Sequence, residues 1–259
     1  MEIRQGFNVE GDTSLAAAVD FANDHGFDFV EVNMDQGFAR STVDPEAVRD
    51  RVADAGLDLV VHLPYRLDPA SPHEEMRLGA CRELEAAIDA ATAMGADRGV
   101  YHAATNVRYD VWPDETIADA LRQTVKRLAD YASDRGFSAC VENIKGPFFD
   151  AGDFSWLLTE TECSLCLDTG HAYATGHDEQ WQAEFLREHG NRVAHVHLND
   201  TRRPDTDEHL PVGVGMLDFE PLVAAMRETD WTGTCTHEVY APELGPQRVG
   251  KPVFDVLLA

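Results

Sequence analysis

The segment Cys166-Leu-Asp168-Thr-Gly-His171-Ala-Tyr-Ala-Thr-Gly176 joins a short apolar run to polar residues that begin where a β-strand should end. Leu165–Leu167 predicts the strand, and Asp168 and His171 follow it three positions apart. A carboxylate and an imidazole at this spacing, on a turn that leaves a strand, can point into one pocket and hold a metal ion. Because Asp-x-x-His is common by chance, the prediction depends on what stands at the ends of the other strands.

The same pattern of a short β-branched run, a polar junction and an amphipathic stretch recurs along the chain. The predicted strands are Ile3–Val9, Phe27–Val32, Leu57–Leu63, Arg98–His102, Phe137–Glu142, Ser164–Asp168, Val193–Leu198 and Gly233–Val239. Eight such units predict an α/β fold with one domain over residues 1–259, a single (β/α)8 TIM barrel with its active site at the C-terminal ends of the strands. A doubly wound sheet is the alternative, but no Gly-x-Gly-x-x-Gly follows the first strand.

The charge of the chain is strongly acidic, with 47 acidic residues against 21 basic ones and a formal net charge of −26. Its only lysines are Lys126, Lys145 and Lys251. An acidic, lysine-poor surface stays hydrated in concentrated salt, where self-repulsion is screened because the Debye length is about 3 Å at 1 M. We therefore interpret the charge as the mark of a halophilic source. At ordinary ionic strength the same charge would count against nucleic acid as a partner.

The composition also indicates the cellular compartment of the protein. The chain contains no run of about eighteen apolar residues, and its first residues lack a basic region followed by an apolar stretch. Five cysteines, an odd number, indicate reduced thiols rather than a disulfide framework, and Cys163 and Cys166 are interpreted as core residues. A cytoplasmic protein with no membrane partner is predicted, and the oligomeric state is left open.

Side chains that can bind metals stand at the C-terminal ends of the last six predicted strands. They are His62, His102, Glu142, Asp168 with His171, His197 and Glu238, and the loop after the seventh strand adds Asp207 and His209. Taken singly, each is more often a hydrogen-bonded core residue than a ligand. Together they predict a metal site, because charged groups that converge on a barrel mouth repel one another unless a cation neutralises them.

The ligand types narrow the choice of metal. Imidazole mixed with carboxylate suits zinc, manganese, iron or cobalt, and differs from an all-oxygen calcium cage. The candidates exceed the roughly four to six ligands that one ion needs, so a cluster of two or three ions is predicted. Glu142 or Glu238 would bridge these ions, and the same two glutamates are the candidate catalytic groups. His195 shares a strand face with His197 and is a candidate to support it.

These motifs resemble those of the xylose isomerase-like TIM barrels, or AP endonuclease family 2, which include the endonuclease IV family of abasic-site endonucleases. The resemblance covers most of the chain from His62 onward. It is carried by His62-Leu-Pro-Tyr65, Glu142-Asn143, Asp168-Thr-Gly-His171, His197-Leu-Asn-Asp200, Asp207-Glu-His209 and Glu238. The similarity implies up to three zinc ions. Their ligands would be His62, His102 and Glu142; then Glu142, Asp168, His197 and Glu238; then His171, Asp207 and His209.

The resemblance implies in-line hydrolysis of a phosphoester, with abasic DNA as one candidate substrate. A water shared between two ions would ionise near neutral pH, and Tyr65 could fill the space left by a nucleotide turned out of the duplex. The DNA-gripping elements differ, because Gly6-Phe-Asn-Val9 replaces a His-Val-Ser-type motif and Val32-Asn-Met-Asp35 lacks an Asn-Pro-Arg element. Arg66 likewise replaces an apolar wedge. The ligands therefore indicate the chemistry better than they indicate the substrate.

The alternative within the same superfamily is a sugar or sugar-phosphate isomerase or epimerase. It would need only Glu142, Asp168, His197 and Glu238 around one Mn²⁺, Mg²⁺ or Co²⁺ ion, with the two glutamates moving a proton beside a carbonyl. His171 and either Arg202 or Arg203 would then bind substrate hydroxyls or a phosphate, and Lys145 could contribute similarly. A barrel that only binds a ligand is a third hypothesis, and fold alone does not decide among the three.

Overall fold

The computed structural model describes residues 2–9, 13–35, 37–108, 110–146 and 149–259. Within these ranges parallel strands close into a barrel in chain order, so that β1 pairs with both β2 and β8. The strands are β1 (Glu2–Val9), β2 (Phe29–Asn33), β3 (Asp58–His62), β4 (Arg98–Tyr101), β5 (Ser138–Glu142), β6 (Ser164–Asp168), β7 (Val193–Leu198) and β8 (Thr232–His237). The predicted single (β/α)8 TIM barrel is confirmed.

Helices surround the barrel between successive strands. They are α1 (Leu15–His25), α2 (Pro45–Asp54), α3 (Glu74–Ala93), α4 (Asp114–Ser133), α5 (Phe154–Glu160), α6 (Thr169–Ala174), α7 (Glu179–His189), α8 (Glu220–Glu228) and α9 (Gln247–Leu258), with a 3-10 turn at Ala151–Asp153. Local sequence fixes their ends: the Asp44 carboxylate accepts from two amides at the start of α2, and Gly26 takes a left-handed φ of 68° after α1. None of the described helices is both long enough and apolar enough to cross a membrane.

The structure corrects the sequence prediction at several strand ends, and β3 ends at His62 rather than Leu63. β4 ends at Tyr101 and β8 at His237, so His102 and Glu238 are the first residues of the loops that follow. After β6 the sequence predicted a turn, but α6 begins at once. Asp168 is its N-cap, and the carboxylate accepts a hydrogen bond from the amide of His171 at 2.6 Å. This cap fixes Asp168 against the first turn of α6.

The barrel interior carries polar side chains as well as an apolar layer. Val100, Cys140 and Cys166 pack against one another there. At the N-terminal end of β4, Arg98 donates to the Ala194 carbonyl at 3.0 Å and to Thr234 Oγ1 at 3.3 Å. All five cysteines are buried and free, as expected of reduced thiols, and burial raises the pKa of the Cys140 thiol to about 11.

Candidate metal centre

The nine predicted ligands lie together at the C-terminal mouth of the barrel, and eight of them form three overlapping groups. In each group one nitrogen or oxygen atom per residue lies within 4.8 Å of the others. The groups are His62, His102 and Glu142; Glu142, Asp168, His197 and Glu238; and Asp168, His171 and His209. A fourth group, Cys166, His195 and His197, shares only His197 with the predicted ligands. Glu142 belongs to the first and second groups, and Asp168 belongs to the second and third. The shared carboxylates make the three groups one continuous cluster.

The first group is organised by Glu142, which is 1% exposed. Its Oε2 lies 3.0 Å from His102 Nε2 and 3.5 Å from His62 Nε2. The Nδ1–H of His62 donates to the Leu63 carbonyl at 2.9 Å, so Nε2 is the ring nitrogen that faces Glu142. Burial alone would raise the pKa of Glu142, but His197 and His102 hold it well below its ordinary value.

The second group gathers three carboxylates around one imidazole. His197 Nδ1 lies 3.0 Å from Glu142 Oε1, 3.4 Å from Glu238 Oε2 and 3.9 Å from Asp168 Oδ2. Burial, together with the charges of Glu238 and Glu142, raises the pKa of Asp168 above its usual range despite the nearby His171. The carboxylates therefore disfavour one another's charge, which a bound cation would relieve.

The third group differs from the set that the resemblance implied. His171 and His209 join Asp168 in it, whereas Asp207 lies outside and contacts both imidazoles, 3.2 Å from His171 Nε2 and 2.8 Å from His209 Nδ1. Asp168 takes this place because the cap of α6 holds it beside His171. Asp207 stands on a loop and keeps 26% of its side chain exposed.

The donor set fits a divalent transition metal ion. Its members are imidazole nitrogens and carboxylate oxygens, the ligands that zinc, manganese and cobalt share. Both ring nitrogens of His209 are buried and lack a hydrogen-bond partner of acceptable geometry among the described residues. The Nε2 nonetheless lies 3.1 Å from Glu238 Oε2. A buried nitrogen without a well-formed hydrogen bond is a candidate to bind a metal ion in exchange for its proton.

Two residues that support the cluster were missed by the sequence analysis. Asn199 is fully buried, and its Nδ2 donates to Asp168 Oδ2 at 2.6 Å. Glu31, on β2, lies 3.2 Å from both His197 Nε2 and His195 Nε2, so the predicted support of His197 by His195 runs through Glu31. A single carboxylate inside the apolar run Phe29–Asn33 was the signal that could have identified Glu31.

The structure separates the four residues predicted to bind substrate. Tyr65 lines a cavity of about 290 Å³ over the cluster, beside Arg66, His102, Glu238 and Tyr240. Lys145 lines a neighbouring, more open cavity with His171 and Asp207, and its Nζ donates to the Asp205 carbonyl at 2.6 Å. Arg202 binds the Glu208 carboxylate, and Arg203 is exposed. Neither arginine lines these two cavities.

Tyr240 stands between the two cavities and was not predicted. Its ring stacks on His209 with centroids 3.7 Å apart and planes 4° apart, and 60% of the residue is exposed. Tyr65 lies on the other side of the cavity, 5.5 Å from the His62 ring and 5.6 Å from the His102 ring. Two aromatic rings therefore flank the opening over the cluster, where they can pack against the organic part of a ligand.

Gly170 in the Asp168-Thr-Gly-His171 segment is required by packing. A Cβ atom at this position would lie 1.8 Å from Asn199 Oδ1. We expect Gly170→Ala to destabilise the protein by about 1–3 kcal/mol, because the buried Asn199 would be pushed away from Asp168. Urea unfolding measures the loss.

Gly79 on α3 supplies the control for this substitution. A Cβ there would meet only Arg82 Nη2, at 3.9 Å. Gly79→Ala should stabilise the helix by about 0.5–1 kcal/mol. Equal effects of the two alanines would contradict the packing argument.

Comparison with known proteins agrees with this architecture. A probable endonuclease 4 from Mycobacterium marinum is 27% identical over 235 residues, which cover 87% of this chain and 89% of that protein. Two crystal structures share the fold. A D-tagatose 3-epimerase-like protein has a TM-score of 0.84 at 23% identity, covering 98% of this chain and 97% of that one. Endonuclease IV from Thermus thermophilus has a TM-score of 0.74 at 21% identity, covering 98% of each chain.

The family expected from the motifs is confirmed. The sequence model described as xylose isomerase-like TIM barrel matches residues 19–252, which span all the strands after β1 and every member of the three groups. The chain belongs to the xylose isomerase-like TIM barrel family.

Proposed function

We propose that this protein is a phosphoester hydrolase that uses a cluster of divalent metal ions, zinc in the first instance. One observation carries the proposal: three groups of potential ligands are joined by two shared carboxylates, Glu142 and Asp168. Adjacent ions that share a ligand are typical of two-metal hydrolysis of phosphoesters. A single ion in the second group would leave His62, His102 and His209 without a metal ion to bind.

The residues of the cluster have different roles in the proposed reaction. Bound ions would supply a water that ionises near neutral pH and positive charge against the phosphoryl oxygens. His62, His102 and Glu142 would hold one ion, Glu142, Asp168, His197 and Glu238 a second, and His171, His209 and Asp168 or Asp207 a third. Glu142 and Glu238, both buried, would also take up protons released during attack. Tyr65 and Tyr240 would bind the organic part of the substrate.

A small phosphoester fits this site better than duplex DNA. The cavity over the cluster measures about 290 Å³, the size of a small ligand. Arg66 is the arginine that lines this cavity, and its guanidinium lies over the Tyr65 ring at 5.3 Å. Arg202 lies outside the cavity and is bound to Glu208. Binding of duplex DNA depends on neutralising many phosphates, and at ordinary ionic strength the net charge of −26 opposes it, an effect that concentrated salt would screen.

The test is metal content measured together with hydrolysis. Protein purified in high KCl should contain two to three ions per chain and should cleave bis(p-nitrophenyl) phosphate. His62→Ala and His209→Ala should each remove an ion and the activity, whereas His189→Ala, on the outer helix α7, should do neither. An abasic duplex, assayed in parallel, distinguishes a DNA substrate from a small one. One ion per chain, with His62 and His209 dispensable, would exclude the cluster.

A second candidate function, a sugar or sugar-phosphate isomerase or epimerase, is favoured by one observation. Glu142 and Glu238 both face His197 Nδ1, at 3.0 and 3.4 Å, within a group that could hold one ion by itself. Two such carboxylates can remove and return a proton on a carbon beside a carbonyl. Exchange of that proton with deuterated solvent, with Mn²⁺, Mg²⁺ or Co²⁺ present, tests this candidate. Absence of exchange in every ketose tried would exclude it.

A further inference from the structure

The Glu31 carboxylate reaches from β2 to the imidazoles of β7. Glu31 is 2% exposed and pairs in the sheet with Asn8 on β1 and Val60 on β3. Its Oε1 lies 3.2 Å from Nε2 of His197, and its Oε2 lies 3.2 Å from Nε2 of His195. A buried carboxylate in the middle of an apolar strand is costly unless its contacts serve the structure or the site.

The other contacts of Glu31 hold the carboxylate in one orientation. Thr236 Oγ1 donates to Oε2, and His195 Nδ1 lies 2.6 Å from Thr234 Oγ1. Thr234 in turn accepts a hydrogen bond from Arg98 Nη1 at 3.3 Å. A series of hydrogen bonds thus connects Arg98, at the N-terminal end of the barrel, with Glu31 near its mouth. Oε2 is occupied by this series, which leaves Oε1 for His197.

The ring of His197 has two different sides. Nδ1 faces Glu142, Glu238 and Asp168 of the cluster, whereas Nε2 faces Glu31. A neutral imidazole carries one N–H, and the nitrogen that binds a metal must be the one without it. For His62 the Leu63 carbonyl holds the N–H. Among the contacts described for His197, the Glu31 carboxylate is the acceptor on the side away from the cluster.

We propose that Glu31 is a positioning residue, whose carboxylate accepts the Nε2–H of His197 and so presents the bare Nδ1 to the metal ion of the second group. The inference depends on the metal-binding part of the proposed function and not on the substrate. Carboxylates that hold the far nitrogen of a metal-bound histidine fix both its tautomer and its ring orientation. Glu31 also lines the cavity over the cluster together with Tyr65 and Tyr240, so its effect on the metal ion has to be measured without substrate.

Metal affinity measured without any substrate tests the proposal. Competition of a chelator for Zn²⁺ should show an affinity about 10–100-fold weaker in Glu31→Leu than in the unmodified protein. Glu31→Gln retains an acceptor oxygen and should lose less. Thr124→Val serves as the matched control, because Thr124 is also buried but donates to the Pro69 carbonyl on the outside of the barrel. It should bind Zn²⁺ normally.

A spectroscopic measurement separates positioning from a general loss of structure. In the zinc-loaded protein labelled with ¹⁵N-histidine, His197 should carry its proton on Nε2, and this signal should be altered in Glu31→Gln. Unchanged Zn²⁺ affinity in Glu31→Leu, an equal loss in Thr124→Val, or no Zn²⁺ bound by the unmodified chain would each overturn the proposal. Weakened Zn²⁺ binding without any phosphoester hydrolysis would overturn only the proposed function.

Discussion

Replacing Glu142 by glutamine is expected to lower the kcat/KM for phosphoester hydrolysis by about 10³-fold or more. Glu142 is the carboxylate that the first and second groups share, and it lies within 3.0 Å of His102 Nε2 and of His197 Nδ1. The neutral amide keeps the shape but loses the charge that would hold two cations together. Metal-ion catalysis contributes several kcal/mol, and each 1.36 kcal/mol corresponds to a factor of about ten in rate.

The metal content of Glu142→Gln shows whether a loss of activity comes from a loss of bound ions. Glu142→Gln should retain fewer ions per chain after dialysis than the unmodified protein. Glu85→Gln is a suitable control, because Glu85 on α3 binds Arg127 on the outer face of the barrel. Its kcat/KM should stay within about twofold, as is usual for a pair near the surface. Full metal content and full activity in Glu142→Gln would show that the two groups do not work together.

The second large effect expected is a steep dependence of metal binding on pH. Burial alone would lower the pKa of His209, but the facing carboxylates of Glu238 and Asp207 raise it to about 11 in the metal-free chain. Asp168 and Asp207 likewise outweigh burial at His171 and raise its pKa to about 10. An ion that binds both imidazoles must displace two protons, so its affinity should rise about 10²-fold per pH unit between pH 6 and pH 8.

The metal-free protein should respond to pH in the opposite direction. Both imidazoles have a folded pKa above the unfolded value of about 6.5, so their contribution to stability is fully present below that pH. It is lost as the pH rises through about 10 and 11. Isothermal titration with Zn²⁺ in buffers of different ionisation enthalpy counts the protons released, and urea unfolding of metal-free protein measures the stability. His209→Gln should release one proton fewer. An affinity for Zn²⁺ that does not change with pH would contradict the argument.

The barrel was predictable from the sequence because its evidence is local and repeated. Each strand is a short apolar run, and helix ends are marked by residues such as Asp44 and Gly26, which act within their own turn. The ends of β4 and β8 were placed one or two residues too late. Ala103 and Val239 are apolar and follow soon after the last paired residues, and the spacing of apolar residues does not show where pairing stops.

The candidate ligands could also be found in the sequence, because a carboxylate or imidazole at a strand end is visible there. Their grouping could not. Asp168 caps α6 and therefore lies beside His171 and His209, in the group where Asp207 was expected. This contact depends on the three-dimensional structure and is not visible in the sequence. Glu31 was missed for a different reason. Its partners His195 and His197 lie more than 160 positions away and meet it only because the sheet closes on itself.

Closure of the ring would also determine at which stage of folding the proposed metal ions bind. The first group draws on β3, β5 and the residue after β4, and the second on β5, β6, β7 and the residue after β8. Neither the first four strands nor the last four contain the whole cluster. The two halves of the barrel must therefore pack together before the chain gains the full binding energy of the metal ions. A ligand bound only after the folding transition state slows unfolding and leaves the folding rate almost unchanged. Zinc should therefore lengthen the lifetime of the folded protein without helping it to form.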